Sequence, residues 1–230
     1  MIKNPIYCAI DTSSIDDALR MIDEIQPYIG GIKLGLEFFT SCGLNGIERI
    51  QKLNIPLFID LKLYDIPNTV TKSLENILSL KPEYTTIHVL GGKKMLQECV
   101  NLKNKLNSKT NLIGVTLLTS FDSNSAEEIG LNGSVNKNVE NLSKLAFDCG
   151  MDGIVCSPKE IKKIKETYGP KLKVIVPGIR NDTESADDQK RTLSAKEAID
   201  FGADIIVVGR PITSAESPAN AAKTFIQSIK

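Results

Sequence analysis

Eight short apolar runs, each followed by a longer stretch with a helical pattern, divide the chain almost evenly from end to end. The runs cover 6–11, 31–35, 56–62, 84–89, 111–117, 152–156, 172–176 and 204–208. Two of them, at Ile55–Ile59 and Ile205–Val208, read as buried strands. Amphipathic periodicity follows from Ser13-Ser14, where a serine suits the N-cap. It recurs over 68–80, 93–106, 137–149, 158–168, 194–201 and 217–229. Eight such units in 230 residues allow about 29 residues each. This spacing suits a (β/α)₈ TIM barrel, a parallel sheet closed on itself, as a single α/β domain over 1–230. An open doubly wound sheet would call for a glycine-rich turn after its first strand. Here that strand ends Ala9-Ile10-Asp11-Thr12-Ser13, without glycine.

With 41% hydrophobic residues the chain can bury one substantial core. Acidic and basic residues number 28 each, so the balance argues against nonspecific binding to nucleic acid or membranes. No apolar run approaches the ~20 residues of a membrane-crossing helix, and the N-terminus lacks a signal-peptide pattern. The five cysteines are scattered without a Cys-x-x-Cys pair, so reduced thiols and a cytoplasmic location are expected. With one histidine, His88, a three-histidine zinc site is ruled out.

Polar residues gather where the predicted strands end: Asp11, Lys33, Asp60 with Lys62, His88, Thr119 with Ser120, Arg180 and Arg210. In a barrel these ends form the face that carries active sites. The densest group is Asp60-Leu61-Lys62-Leu63-Tyr64-Asp65-Ile66-Pro67-Asn68-Thr69, which follows the apolar run Ile55–Ile59. Strand alternation would place Asp60 and Lys62 on one face, roughly 6.5 Å apart along the chain. A carboxylate and an ammonium on a buried inner face cost free energy unless they are paired or used. Lys33, on the neighbouring second strand, would extend the alternation of charge. Two readings stay open: an ion-pair network that plugs the barrel mouth, or carboxylates that hold Lys62 protonated as a general acid. Asp65 precedes a proline two residues on, which breaks the ladder. It is either an ordinary turn aspartate or one that points into a partner subunit.

The last strand runs into Gly209-Arg210-Pro211 and the seventh into Pro177-Gly178-Ile179-Arg180. Glycine lets backbone approach an anion and arginine supplies a forked donor, near strands seven and eight where barrels often hold phosphate. The alternative is a capping turn with surface arginines. A long polar connection over 177–191 contains Gln189, whose amide could close over a phosphate. Read by itself, that connection is a solvated charged segment.

In order along the chain, Ala9-Ile10-Asp11, Lys33-Leu34-Gly35, Asp60-x-Lys62-x-x-Asp65-Ile66-Pro67-x-Thr69, His88-x-x-Gly91-Gly92, Val115–Ser120, Pro177–Arg180 and Val208–Ile212 resemble the motifs of orotidine 5′-phosphate decarboxylases. The resemblance spans the chain. It implies a barrel, usually a homodimer with shared active sites, that converts orotidine 5′-phosphate into uridine 5′-phosphate and carbon dioxide with neither metal nor organic cofactor. It implies Lys62 as proton donor to C6, flanked by Asp60 and by Asp65 of the partner, with Lys33 completing the chain of charges. It also implies Asp11 and Lys33 at the ribose hydroxyls, Ile66 and Thr69 lent by the partner, and Thr119 at the pyrimidine edge. Arg180, Gln189, Gly209 and Arg210 would serve the phosphate. His88 matches a recurrent position and is read as a hydrogen-bonded structural histidine. Gly43-Leu44 stands where that family commonly has Gly-Pro, and Ala195 where a proline often precedes the seventh helix. The rivals are a metal-dependent sugar-phosphate lyase or epimerase on a related barrel, and a noncatalytic ribonucleotide-binding barrel.

Overall fold

A computed structural model describes residues 4–180 and 193–229. Its eight strands pair in sequence order into a closed parallel barrel. They are β1 Ile6–Ala9, β2 Gly31–Leu34, β3 Leu57–Leu63, β4 Tyr84–His88, β5 Asn111–Val115, β6 Gly153–Val155, β7 Lys173–Val176 and β8 Ile205–Val208. Closure comes from β8 against β1, with Ile6 opposite Ile206 and Cys8 opposite Val208. The (β/α)₈ expectation is met.

Consecutive strand residues divide between two apolar clusters, which is why the strands read as largely apolar runs. Ile6, Cys8, Ile206 and Val208 face the layer under the helices. Tyr7, Ala9, Phe58, Tyr84, Ile113, Ile175, Ile205 and Val207 fill the barrel interior. Inside, Tyr84 packs edge-on against both Tyr7 and Phe58, and the Tyr7 hydroxyl donates to Glu83 at 2.7 Å. These rings plug the end of the barrel where the strands begin, so the open end is the one where they finish.

Several strands stop one or two residues short of their expected C-terminal limits: β1 at Ala9, β2 at Leu34, β5 at Val115. Asp11, Gly35 and the residues after Thr116, whose N–H still reaches the Val155 carbonyl at 3.4 Å, have left the ladder and are free to line a cavity. The helix after β2, Leu36–Gln51, is broken at Gly43, where φ is 60°. This left-handed backbone suits glycine and would strain any side chain. Ser14 caps the first helix, its hydroxyl accepting from the Asp17 N–H at 3.2 Å. A short helix, Ser123–Glu128, lies in a connection where no helix was expected, and another, Arg210–Thr213, starts directly after Gly209. The stretch expected as one helix over 158–168 is a 3₁₀ turn, Pro158–Glu160, followed by the helix Ile161–Tyr168. Among the described residues no helix is long and apolar enough to cross a membrane.

Two aspartates just ahead of β6 and β8 make the same clip. Asp152 accepts from Lys103 Nζ at 2.6 Å and from the Leu112 N–H of β5 at 2.7 Å. Asp204 accepts from Lys165 Nζ at 2.5 Å and from the Val174 N–H of β7 at 2.6 Å. Each ties a helix to the start of the next strand pair. Removing the carboxylate strands a half-buried ammonium and an N–H group. Asp152→Ala is therefore expected to destabilise the fold by about 1–3 kcal/mol. In a domain this long that lowers Tm by roughly 2–10 °C in a calorimetric scan. An unchanged Tm would show that the clip contributes nothing.

Candidate active site

The site begins with an irregularity in β3. Ile59 pairs with Thr85 and Leu63 with Ile87, so Asp60, Leu61 and Lys62 together stand opposite the single residue Thr86. Extra residues in one strand bulge it and re-aim its side chains. The bulge is absorbed at Lys62, whose φ is 49°. For a residue with a Cβ the left-handed region costs about 1–2 kcal/mol. Asp60 and Lys62 do share a face, but by way of the bulge rather than by simple alternation.

Lys62 Nζ lies 2.9 Å from Asp60 Oδ2, and Lys33 Nζ lies 3.4 Å from the same oxygen. Lys33 also reaches Asp11 Oδ1 at 3.7 Å. The other oxygen of Asp60 accepts from the Thr86 hydroxyl at 2.9 Å. Asp60 is buried, which by itself would raise its pKa. The Lys33 and Lys62 charges and the hydrogen bonds from Lys62 and Thr86 outweigh burial and hold the carboxyl below its ordinary range. Asp60 is thus an anion shared by two ammonium groups. Charge alternates along Asp11, Lys33, Asp60 and Lys62.

This row forms one wall of a cavity of about 280 Å³ at the open end of the barrel. Asp11, Lys33, Asp60, Lys62, Thr119, Arg180, Gly209 and Arg210 all line it, over a floor that includes Ala9, Phe58, Val155, Ile175 and Val207. Four cationic side chains against two carboxylates leave the lining positive, which suits an anionic ligand. Gly209 precedes the helix Arg210–Thr213. Across the mouth, Arg180 N–H donates to the Leu193 carbonyl at 3.1 Å, and Ile179 bridges to Leu193. The two ends of the long seventh connection are therefore held together. Gln189 falls outside the described residues.

Asp65, Ile66 and Thr69 do not line this cavity within one chain. Asp65 is exposed, its Oδ1 accepting from the Ile66 N–H at 2.6 Å. Ile66 is 66% exposed and Tyr64 60%. Thr69 sits exposed in the first turn of the helix Pro67–Ser79.

His88 departs from expectation. Its buried Nδ1 has no hydrogen-bond partner among the described residues. The ring instead packs against Tyr64, with centroids 5.5 Å apart. Burial first, and then the Lys62 charge, depress its pKa, so the imidazole is neutral near pH 7.

Sequence reasoning missed two contributors. A Cβ on Gly35 would lie 3.0 Å from Lys33 Nζ and 3.3 Å from Asp11 Oδ1, so glycine there leaves room for that pair. Thr86 is fully buried and bonded to Asp60. Its only signal was its place, two residues from Tyr84 and from His88 and hence on the inward face of β4.

Comparison with known proteins agrees with this geometry. The orotidine 5′-phosphate decarboxylase of Wolbachia sp. subsp. Brugia malayi is 45% identical over 226 residues, 98% of this chain and 99% of that protein. That of Ehrlichia chaffeensis is 45% identical over 100% of this chain and 98% of its own length. The crystal structure of orotidine 5′-phosphate decarboxylase from Lactobacillus acidophilus superimposes with a TM-score of 0.84 at 30% identity, covering 99% of both chains. The profile described as the "Orotidine 5′-phosphate decarboxylase / HUMPS family" matches residues 4–225. A closed barrel with a Lys-Asp-Lys row at its mouth, matched over almost its whole length in sequence and shape, places this chain in the orotidine 5′-phosphate decarboxylase / HUMPS family.

Proposed function

We propose that the protein decarboxylates orotidine 5′-phosphate to uridine 5′-phosphate, the step that completes pyrimidine nucleotide synthesis, with Lys62 as the proton donor. The observation that carries this reading is the Lys62 ammonium, held 2.9 Å from a buried carboxylate at the cavity wall. When the bond between C6 and the carboxylate carbon breaks, its electron pair stays on C6, in an orbital that cannot spread into the ring π system. An ammonium already in place stabilises that charge without waiting for solvent to reorient. Its proton then passes to C6 and carbon dioxide departs. The neutral amine left behind recovers a proton from water, so the cycle balances.

The other residues take roles that follow from position and from the family resemblance. Asp60 and Lys33 fix Lys62 by charge. Asp11 and Lys33 receive the ribose hydroxyls, and Thr119 meets the pyrimidine edge. Arg180, Gly209 and Arg210, with Gln189, serve the phosphate. Phosphate binding far from C6 lends free energy that can be used to order the reacting end. Asp65, Ile66 and Thr69 complete the cavity of a partner subunit in a homodimer. The exposure of Ile66 and Tyr64 supports this, because large apolar side chains left open on a rim mark contact surfaces. The protein works in the cytoplasm, in keeping with five free cysteines.

The test is loss of orotidine absorbance by purified protein and orotidine 5′-phosphate in excess EDTA. Full turnover is expected, with rates unchanged on adding magnesium. Strict magnesium dependence would favour the metal-dependent sugar-phosphate lyase or epimerase. Nucleotide binding without carbon dioxide release would favour the noncatalytic barrel.

A further inference from the structure

The geometry points to Thr86 as a positioning residue whose hydroxyl clamps the β3 bulge and so aims the Lys62 ammonium at the reacting carbon, an inference that rests on the decarboxylase reading above. Thr86 is the one residue of β4 that stands opposite Asp60, Leu61 and Lys62. A bulge of this size takes the Lys62 N–H out of the regular ladder. The Thr86 hydroxyl oxygen accepts that N–H at 2.9 Å. The same hydroxyl donates its proton to Asp60 Oδ1, also at 2.9 Å. One side chain therefore closes both ends of the distortion and uses its donor and its acceptor at once.

Two consequences reach the ammonium. The first runs through the backbone. Lys62 holds φ at 49°, a conformation that a lysine keeps only when its surroundings over-determine it. The bond to its N–H is one such tie, and release would let the residue relax toward ordinary strand geometry and swing its side chain. The second runs through the carboxylate. Because Thr86 occupies Oδ1, both lysines must share Oδ2, Lys62 at 2.9 Å and Lys33 at 3.4 Å. Without the hydroxyl, Asp60 could turn and offer each ammonium its own oxygen. Lys62 would then be drawn down into the wall and away from the cavity. Thr86 does not itself line the cavity, so its effect passes through Asp60 and Lys62.

Thr86→Val keeps the shape and removes the hydroxyl. It should lower kcat on the order of 100-fold, the scale of a misplacement of about 1 Å, while KM for orotidine 5′-phosphate stays within about threefold, because no binding group is lost. Thr86→Ser restores the hydroxyl without the methyl and should recover kcat to within about tenfold of wild type. Three results overturn the role: full kcat in Thr86→Val, a loss that appears in KM alone, or a loss in folded Thr86→Ser as deep as in Thr86→Val. If Thr86→Val does not fold, Thr86→Cys against Thr86→Ser gives the same comparison, since a thiol matches the shape of serine with a poor donor. Wild-type protein assayed beside them separates the two readings. An inactive wild type overturns the decarboxylase assignment and this role with it, whereas an active wild type with a full-rate Thr86→Val overturns the role alone.

Discussion

Lys62→Ala is expected to lower decarboxylation by at least about 10⁴-fold and to leave nucleotide binding largely intact. Two contributions are lost together. A preorganised cation facing a localised carbanion is worth roughly 10²–10³-fold, by analogy with a lost oxyanion donor. A positioned general acid is worth roughly 10²–10⁴-fold more. Water can replace the proton but not the fixed charge, because it must reorient as the carbanion forms. Binding should survive because the groups assigned to ribose and phosphate lie elsewhere on the wall, and because Asp60 keeps Lys33 at 3.4 Å as its counter-ion. Calorimetric titration with uridine 5′-phosphate should give Kd within about tenfold of wild type, while the absorbance assay shows no turnover above a heated control. A variant that turned over normally would remove Lys62 from the chemistry. Equal losses in binding and turnover would recast it as a ligand for the substrate alone.

The barrel was legible because both faces of each strand are buried. That burial leaves eight largely apolar runs whose lengths and spacing admit few other arrangements. Polar side chains such as Asp11, Arg180 and Arg210 were legible as cavity-lining residues because each stands just past a strand end, where a parallel barrel has to present it. The β3 bulge was not legible. Left-handed backbone is usually announced by glycine or asparagine, and a lysine at φ 49° carries no such sign. Its support comes from Thr86, a hydroxyl on the next strand that no short motif links to Lys62. Simple alternation still put Asp60 and Lys62 together, since the bulge turns both toward the same cavity. His88 shows the opposite limit. A lone histidine at a strand end suggested a hydrogen-bonded ring, yet the structure buries its Nδ1 without a hydrogen-bond partner among the described residues and sets the ring beside Tyr64. Nothing in the local sequence announced that the ring would pack at a tilt against Tyr64.

A mixture of two inactive chains, Lys62→Ala and Asp65→Ala, is expected to regain activity after subunit exchange. Within one chain Asp65 is exposed and outside the cavity, although it lies only three residues beyond Lys62. Pro67 begins a helix immediately afterwards, which holds the turn at Asp65 in place outside its own chain's cavity lining. If the carboxylate works beside Lys62, it has to come from a second copy. In a two-fold dimer each site would then draw Lys62 from one chain and Asp65 from the other. A hybrid of the two variants holds one site with both defects and one with neither. Random exchange makes half of the dimers hybrid, so roughly one quarter of all sites should work. Each parent alone should be almost inactive: Lys62→Ala lacks the proton donor, and Asp65→Ala lacks the second carboxylate beside it. The mixed sample should therefore exceed the sum of its parents many-fold, and activity should rise on the timescale of exchange, followed by mass spectrometry of differently tagged chains. No recovery after exchange is complete would confine Asp65 to its own chain as a turn residue. Recovery also fixes the geometry, because intact sites arise in a hybrid only if the two residues meet across the interface.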